Sequence, residues 1–155
     1  MITVREARKS DLKDIQTLGW KLENYESKYD PLFDLTEQTK KKYLNWIMRC
    51  FKNKGFKFFI ALYNGKIIGF GFGQLTRAIP VYQVKKLGYI WHIIVEDKFQ
   101  EKGVGKSLLK KLENWFKLNG LEYIELDAAY KNKKIVKIWT HLGYDSHWIR
   151  MRKKL

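Results

Sequence analysis

Leu87-Gly88-Tyr89-Ile90-Trp91-His92-Ile93-Ile94-Val95, then Glu96-Asp97-Lys98-Phe99, then Gln100-Glu101-Lys102-Gly103-Val104-Gly105-Lys106-Ser107-Leu108-Leu109 is the stretch that decides how this chain folds. Its first part is apolar, β-branched and aromatic, the composition of a buried strand. After Ser107 the period changes: Leu108, Leu112, Trp115 and Phe116 recur at helical spacing and share one face. The chain therefore passes from strand to helix across a basic loop with two glycines. Such a turn aims several backbone N–H groups at one point before a helix, where the positive end of the macrodipole favours an anion. Gly103 and Gly105 let the backbone approach that anion without a Cβ in the way. A phosphate is the expected occupant.

Spacing narrows the choice of phosphate ligand. A Walker A loop requires a glycine five residues before Gly105, where Gln100 stands, so an ATP-dependent enzyme is disfavoured. A dinucleotide loop requires a glycine at the position of Leu108 and a strand near the start of the chain. What stands here is Gln-x-x-Gly-x-Gly directly after a strand, and in this the chain resembles the GNAT superfamily of acetyl-CoA-dependent N-acetyltransferases. In that family the loop wraps the pyrophosphate of coenzyme A. Downstream, Asn132-Lys133-Lys134-Ile135-Val136-Lys137-Ile138-Trp139-Thr140-His141-Leu142-Gly143-Tyr144 resembles the family's second signature: an Asn, a helix and a Gly-aromatic ending. The resemblance extends more loosely over the whole chain.

Length and composition agree with one globular unit. At 155 residues, with 45% hydrophobic and 15% aromatic residues, the chain is expected to form a single domain over residues 1–155 with a substantial core. No run approaches a membrane span, and Met1 leads straight into Ile2-Thr3-Val4 without a signal-like stretch, so a cytoplasmic protein is expected. The single cysteine, Cys50, excludes an internal disulfide and a multi-cysteine zinc site, and it reads as a small packed hydrophobe. His92, His141 and His147 form no helical ligand pair, so no metal is expected. The 31 Lys and Arg against 16 Asp and Glu give +15, which raises encounter rates with polyanions. A nucleic-acid partner is consistent with that charge but not demonstrated by it. The same charge argues mildly for an acidic acceptor, and a homodimer is left open.

In chain order, Ile2 to Ala7 alternates as a half-buried strand, and Ser10 or Asp11 caps a helix with Leu12, Ile15, Leu18, Leu22 and Tyr25 in step. Pro31 closes that region, and Asp34 or Thr36 begins a second helix running to Gly55. Phe56–Tyr63 and Lys66–Leu75 flank Asn64-Gly65, the signature of a type I′ hairpin. Gly69, Gly71 and Gly73 leave one strand face bare, for close approach of a ligand or of another backbone, or only to accommodate large neighbours. After the Leu87 strand and its helix, Asn119-Gly120 is a stop, Glu122 to Asp127 a short strand, Asn132 to Leu142 a helix and Tyr144 to Arg152 a last strand. The predicted fold is α/β, GNAT-like, a mixed and largely antiparallel central sheet flanked by helices in the order β-α-α-β-β-β-α-β-α-β.

The resemblance implies a reaction: attack of a neutral primary amine on the thioester of acetyl-CoA through a tetrahedral oxyanion. The amine is that of a protein or peptide N-terminus, a lysine or a small molecule. It further implies that Gln100, Glu101, Lys102, Gly103, Val104, Gly105, Lys106 and Ser107 grip the diphosphate. Ile93, Ile94 and Val95 pair with the pantetheine arm, an N–H near Ile94 faces the thioester oxygen, and Asn132, Ile135 and Trp139 lie along the cofactor. Asn132 also reads as a helix cap. The first two helices would wall the acceptor site, which makes Trp20, Tyr25, Tyr29, Phe33 and Trp46 either substrate contacts or core.

An ammonium substrate must lose a proton before it attacks. Tyr89 and Asp127 rank first as acceptors by position. His92 ranks below them, because strand alternation places it on the face opposite Tyr89 and Trp91. The family usually carries a Tyr seven residues after the Asn to protonate the leaving thiolate, whereas this chain has Trp139, whose indole N–H can donate a hydrogen bond but no proton. Tyr130, Tyr144 or water is left for that task, or the thiolate leaves unaided. A non-catalytic acyl-CoA-binding or nucleic-acid-associated module is the alternative that Trp139 and the net charge keep open.

Overall fold

The computed structural model describes residues 1–155. The strands are β1 (Ile2–Glu6), β2 (Phe56–Tyr63), β3 (Lys66–Arg77), β4 (Lys86–Val95) and β5 (Ile124–Leu126); the helices are α1 (Leu12–Glu26), α2 (Glu37–Lys52), α3 (Val104–Leu118) and α4 (Lys133–His141). The strands lie in the spatial order β1-β2-β3-β4-β5. β1 to β4 are antiparallel neighbours, and only β4 and β5, joined through α3, run parallel.

Local sequence accounts for most boundaries. The β2–β3 hairpin turns through Asn64 at φ 47° and Gly65 at φ 78°, the left-handed pair that a type I′ turn needs. α2 starts at its Thr36 cap, whose hydroxyl accepts from the Thr39 N–H. A single 3₁₀ turn, Lys9–Asp11, precedes α1. The buried Asp11 carboxylate accepts from the Arg8 N–H at 2.6 Å and from the Arg5 guanidinium at 2.8 and 3.1 Å. That bidentate pair ties α1 to β1 and holds the Asp11 carboxyl below the usual carboxylate range.

Two helical layers cover the sheet. On one face α1 and α2 bury Ile15, Leu18, Ile47 and Cys50 against Phe58, Ile60, Phe70 and Phe72. Burial pushes the Cys50 thiol up to about 11, so it is a packed hydrophobe and no nucleophile. On the other face α3 lays Leu108, Leu109, Leu112 and Phe116 across β3 and β4. The bare face of β3 serves this contact: a Cβ at Gly73 would meet the Phe116 ring at 2.6 Å, and one at Gly71 would meet Leu112 at 3.3 Å. Large neighbours, not a ligand, occupy it.

One predicted strand is absent. Tyr144 to Arg152 forms no ladder, and Trp148, Ile149 and Met151 are 77%, 69% and 89% exposed. β5 is three residues long and offers little edge to pair with. The segment's contacts with β5 and the residue after it are side-chain approaches, His147 to Glu125 at 3.8 Å and Arg150 to Asp127 at 3.9 Å.

Candidate active site

The site grows from the splaying of β4 from β5. The two strands pair only over Gly88–Ile124, Tyr89–Glu125 and Ile90–Leu126, so from Trp91 to Val95 the β4 edge on that side has no partner. The Glu96 N–H donates to Ile68 O in β3 at 2.8 Å. Antiparallel alternation then turns the Ile94 N–H toward β3 as well, and those of Ile93 and Val95 toward the open edge. An extended ligand carrying amides can pair there.

The loop after β4 presents a second row of donors. No acceptor within the chain takes the backbone N–H groups from Glu101 to Lys106, and the first bond of α3 runs from Ser107 N to Gly103 O at 3.0 Å. Glu101 at φ 60° and Gly103 at φ 78° give the loop the turn that gathers these groups. A Cβ at Gly105 would meet nothing closer than Val95 Cγ2 at 3.8 Å, so no protein atom requires glycine there; the missing side chain leaves room in front of the N–H cluster. Gln100 braces the loop, its amide nitrogen donating to Val95 O at 3.2 Å and to the Asp97 carboxylate at 3.0 Å. Lys102 and Lys106 are exposed beside it. The start of α4 closes in through Lys134, 3.8 Å from Glu101. This donor set fits a diphosphate.

Asn132 is buried at 8% exposure and caps α4, its side-chain oxygen accepting from the Ile135 N–H at 3.2 Å. Trp139 packs edge-on against Tyr144, ring centroids 5.2 Å apart, on the cluster under α3. The Tyr144 hydroxyl donates to Glu113 at 3.3 Å and is held protonated by burial and by that carboxylate. Tyr130 is 65% exposed under the Lys133 ammonium.

A β-bulge reshapes the acid–base side. Phe72 faces His92 and Gly73 faces Ile90, which leaves Trp91 as the extra residue. Sequence alternation put His92 opposite Tyr89 and Trp91; the bulge brings His92 onto their face, with Trp46 5.2 Å from Trp91 and 6.2 Å from His92. His92 Nδ1 lies 2.6 Å from Trp91 O and so carries the proton donated there. Its Nε2 sits 3.0 Å from Glu23 Oε1, a contact out of line for a hydrogen bond, and the His92 side chain is 10% exposed. Tyr89 stands beside Asp127, and burial together with that carboxylate raises its phenol far above the usual value. The Asp127 side chain is itself 70% exposed.

Glu23 and Glu26 went unread in the sequence. Glu26 stands 11 positions after Ile15, three helical turns on and almost in line with it, so an acid on the buried stripe of α1 was the available signal. Of the aromatics, Tyr43 packs on the core and Trp20 lies tilted against it, ring centroids 5.7 Å apart, while Tyr25 is half exposed. A cleft of about 320 Å³ opens between them, lined by Trp20, Glu23, Asp30, Phe33, Asp34 and Tyr43 among others.

The model of the acetyltransferase (GNAT) family matches residues 18–144. An uncharacterized N-acetyltransferase of Methanocaldococcus jannaschii is 28% identical over 99% of this chain and 67% of its own length. Two solved structures share the fold. One, a predicted acetyltransferase of Clostridium acetobutylicum determined with acetyl-CoA, superposes at a TM-score of 0.76 over 98% of this chain and 96% of that one, at 20% identity. The other, an aminoglycoside N-acetyltransferase in complex with CoA, gives 0.76 over 100% and 96%, at 19% identity.

Proposed function

The chain belongs to the acetyltransferase (GNAT) family and is an acetyl-CoA-dependent acyltransferase, and from that premise we propose that it acetylates a primary amine by direct attack in a ternary complex. The observation that carries the cofactor half is the unbonded row of N–H groups from Glu101 to Lys106 before α3. Gln100, Gly103, Val104, Gly105 and Ser107 form the diphosphate cradle, with Lys102 and Lys106 adding charge. The pantetheine amides pair along the free edge of β4 at Ile93 and Val95, and one of those N–H groups faces the thioester oxygen in place of Ile94. Asn132 keeps its cap role and lies at the head of the helix that carries Ile135 and Trp139.

His92 accepts the amine proton once the ammonium docks at Glu23, because its Nε2 has no hydrogen-bond partner and Glu23, 3.0 Å from it, lines the cleft. Tyr89, held protonated beside Asp127, serves better as a donor to the departing thiolate than as a base. The amine nitrogen bonds to the thioester carbon, the C–S bond breaks, and one proton from the ammonium is left after amide and thiol form. Incubation with acetyl-CoA and an amine panel, following free thiol, tests this; acetyl-CoA binding without turnover of any amine would favour the non-catalytic module. Salt-dependent retention of RNA or DNA would support a nucleic-acid role for the +15 surface, and no retention at low salt removes it.

A further inference from the structure

The cleft between α1, the α1–α2 connection and α2 differs in charge from the rest of the molecule. Its lining includes Glu23, Asp30 and Asp34 and no Lys or Arg, in a chain with 31 of those cations and 16 acids. Resting on the acetyltransferase reading, we infer that this cleft seats an acceptor with two or more ammonium groups, a short aliphatic di- or polyamine. The expectation of an acidic acceptor, drawn from the net charge, describes the outer surface and not this cleft.

The acids fall at two ends. At the inner end Glu23 lines the cleft and touches His92; next to that pair but outside the lining, Glu26 makes no salt bridge and no hydrogen bond. One imidazole faces two carboxylates there, so even a charged His92 leaves a negative charge without a counter-ion. Burial, with Glu23 adding and His92 opposing, raises the Glu26 carboxyl above its ordinary value. An incoming ammonium supplies the missing cation. The Tyr43 oxygen is also buried without a partner. An ammonium N–H can donate to it, and the neighbouring carboxylates cannot.

At the outer end the seat for a second cation is visible. The Asp34 carboxylate is fixed by the Thr39 hydroxyl at 2.7 Å and the Thr36 N–H at 3.1 Å, which keep it ionised. Asp30 already holds a cation, the Arg152 guanidinium of the chain's own C-terminal segment, at 2.7 and 3.1 Å. Between the ends, Trp20, Phe33 and Tyr43 line the wall. Aromatic faces pack against methylene groups and attract ammonium charge. A diamine matches the arrangement: one nitrogen at Glu23 and His92 to react, a stem along the rings, and one nitrogen at the aspartates to orient it.

Thiol release from acetyl-CoA is to be compared for spermidine, 1,3-diaminopropane, n-propylamine and an acidic peptide with a free N-terminus. The expected kcat/KM for spermidine and the diamine exceeds that for propylamine by about 10-fold or more, the value of one added charged hydrogen bond. Asp34→Asn and Glu26→Gln each raise the spermidine KM by a similar factor of about 10 and leave the acetyl-CoA KM in place. Glu122→Gln, at an exposed acid before β5, changes neither. Glu26→Gln also raises the Tm of the free protein, by about 2 °C, because it removes an uncompensated charge. Propylamine or the acidic peptide turning over as well as spermidine would overturn the inference while the acetyltransferase reading stands. Failure to bind acetyl-CoA would end both.

Discussion

The loop after β4 and the cleft beside α1 flank the same strand and are built in opposite ways. The loop is consecutive in sequence, works through backbone N–H groups and is positive. The cleft gathers side chains from α1, the following connection and α2, reaches β4 where Glu23 and Tyr43 meet His92, and is negative. A strand-loop-helix turn is a local code, while an acceptor site exists only after packing. The same chain thus carries a general device for holding a cofactor and a particular device for choosing what is acetylated.

Four substitutions or conditions sharpen that contrast. The largest effect is expected from Gly105→Glu, which places a carboxylate before the N–H cluster. Acetyl-CoA affinity should fall about 100-fold or more, since charge-assisted bonds are lost and like charges meet. Thermal unfolding should hardly change, because a Cβ there has open space. Calorimetric titration beside a melting curve checks both, and a fall in Tm with unaltered affinity would assign Gly105 to folding instead. On the other flank, His92→Asn should lower kcat about 100-fold, the usual worth of a positioned base, without moving the acetyl-CoA Kd. Retained kcat with an unchanged pH profile would return the role to Asp127 or to water.

Asn132 caps α4, whose start meets the loop, and its effect is smaller. Asn132→Ala should cost about 1 kcal/mol of stability through the lost α4 cap, and Asn132→Asp should restore it. If Asn132 also lies on the cofactor arm, the Asp variant keeps the Tm and still binds acetyl-CoA less tightly. The slightest effect concerns pH. Asp11 has a lowered folded pKa, so its stabilising pair with Arg5 is fully present above about pH 4 and is lost as pH falls through the lowered value. Glu26 acts with the opposite sign: its raised folded value favours the folded state below about pH 4, and that contribution disappears as pH rises through it. Arg5→Ala should flatten the acid limb of stability against pH; an unaltered limb would show that the pair contributes nothing.

Much of the frame was legible because its signals are local. Asn64-Gly65 forces its turn, Thr36 and Asn132 cap their helices, and the two glycines after β4 announce the cradle. What stayed hidden depends on neighbours distant in sequence. The Trp91 bulge, which carries His92 to the other face, has no sequence mark of its own. The unformed strand after Tyr144 has suitable residues but faces a β5 too short to pair with it. Alternating glycines in β3 make room for Leu112 and Phe116, and the sequence alone left a ligand equally open. Glu23 and Glu26 acquire meaning only when α1 is laid against β4.

Titration of acetyl-CoA and of acetylpantetheine, which lacks the diphosphate, into the wild-type chain and into Gly105→Glu tests the cradle most directly. The account predicts that wild type prefers acetyl-CoA by about 100-fold and that the variant loses the preference, since the discrimination lies in the N–H groups before α3. Equal affinity of wild type for the two ligands would contradict it.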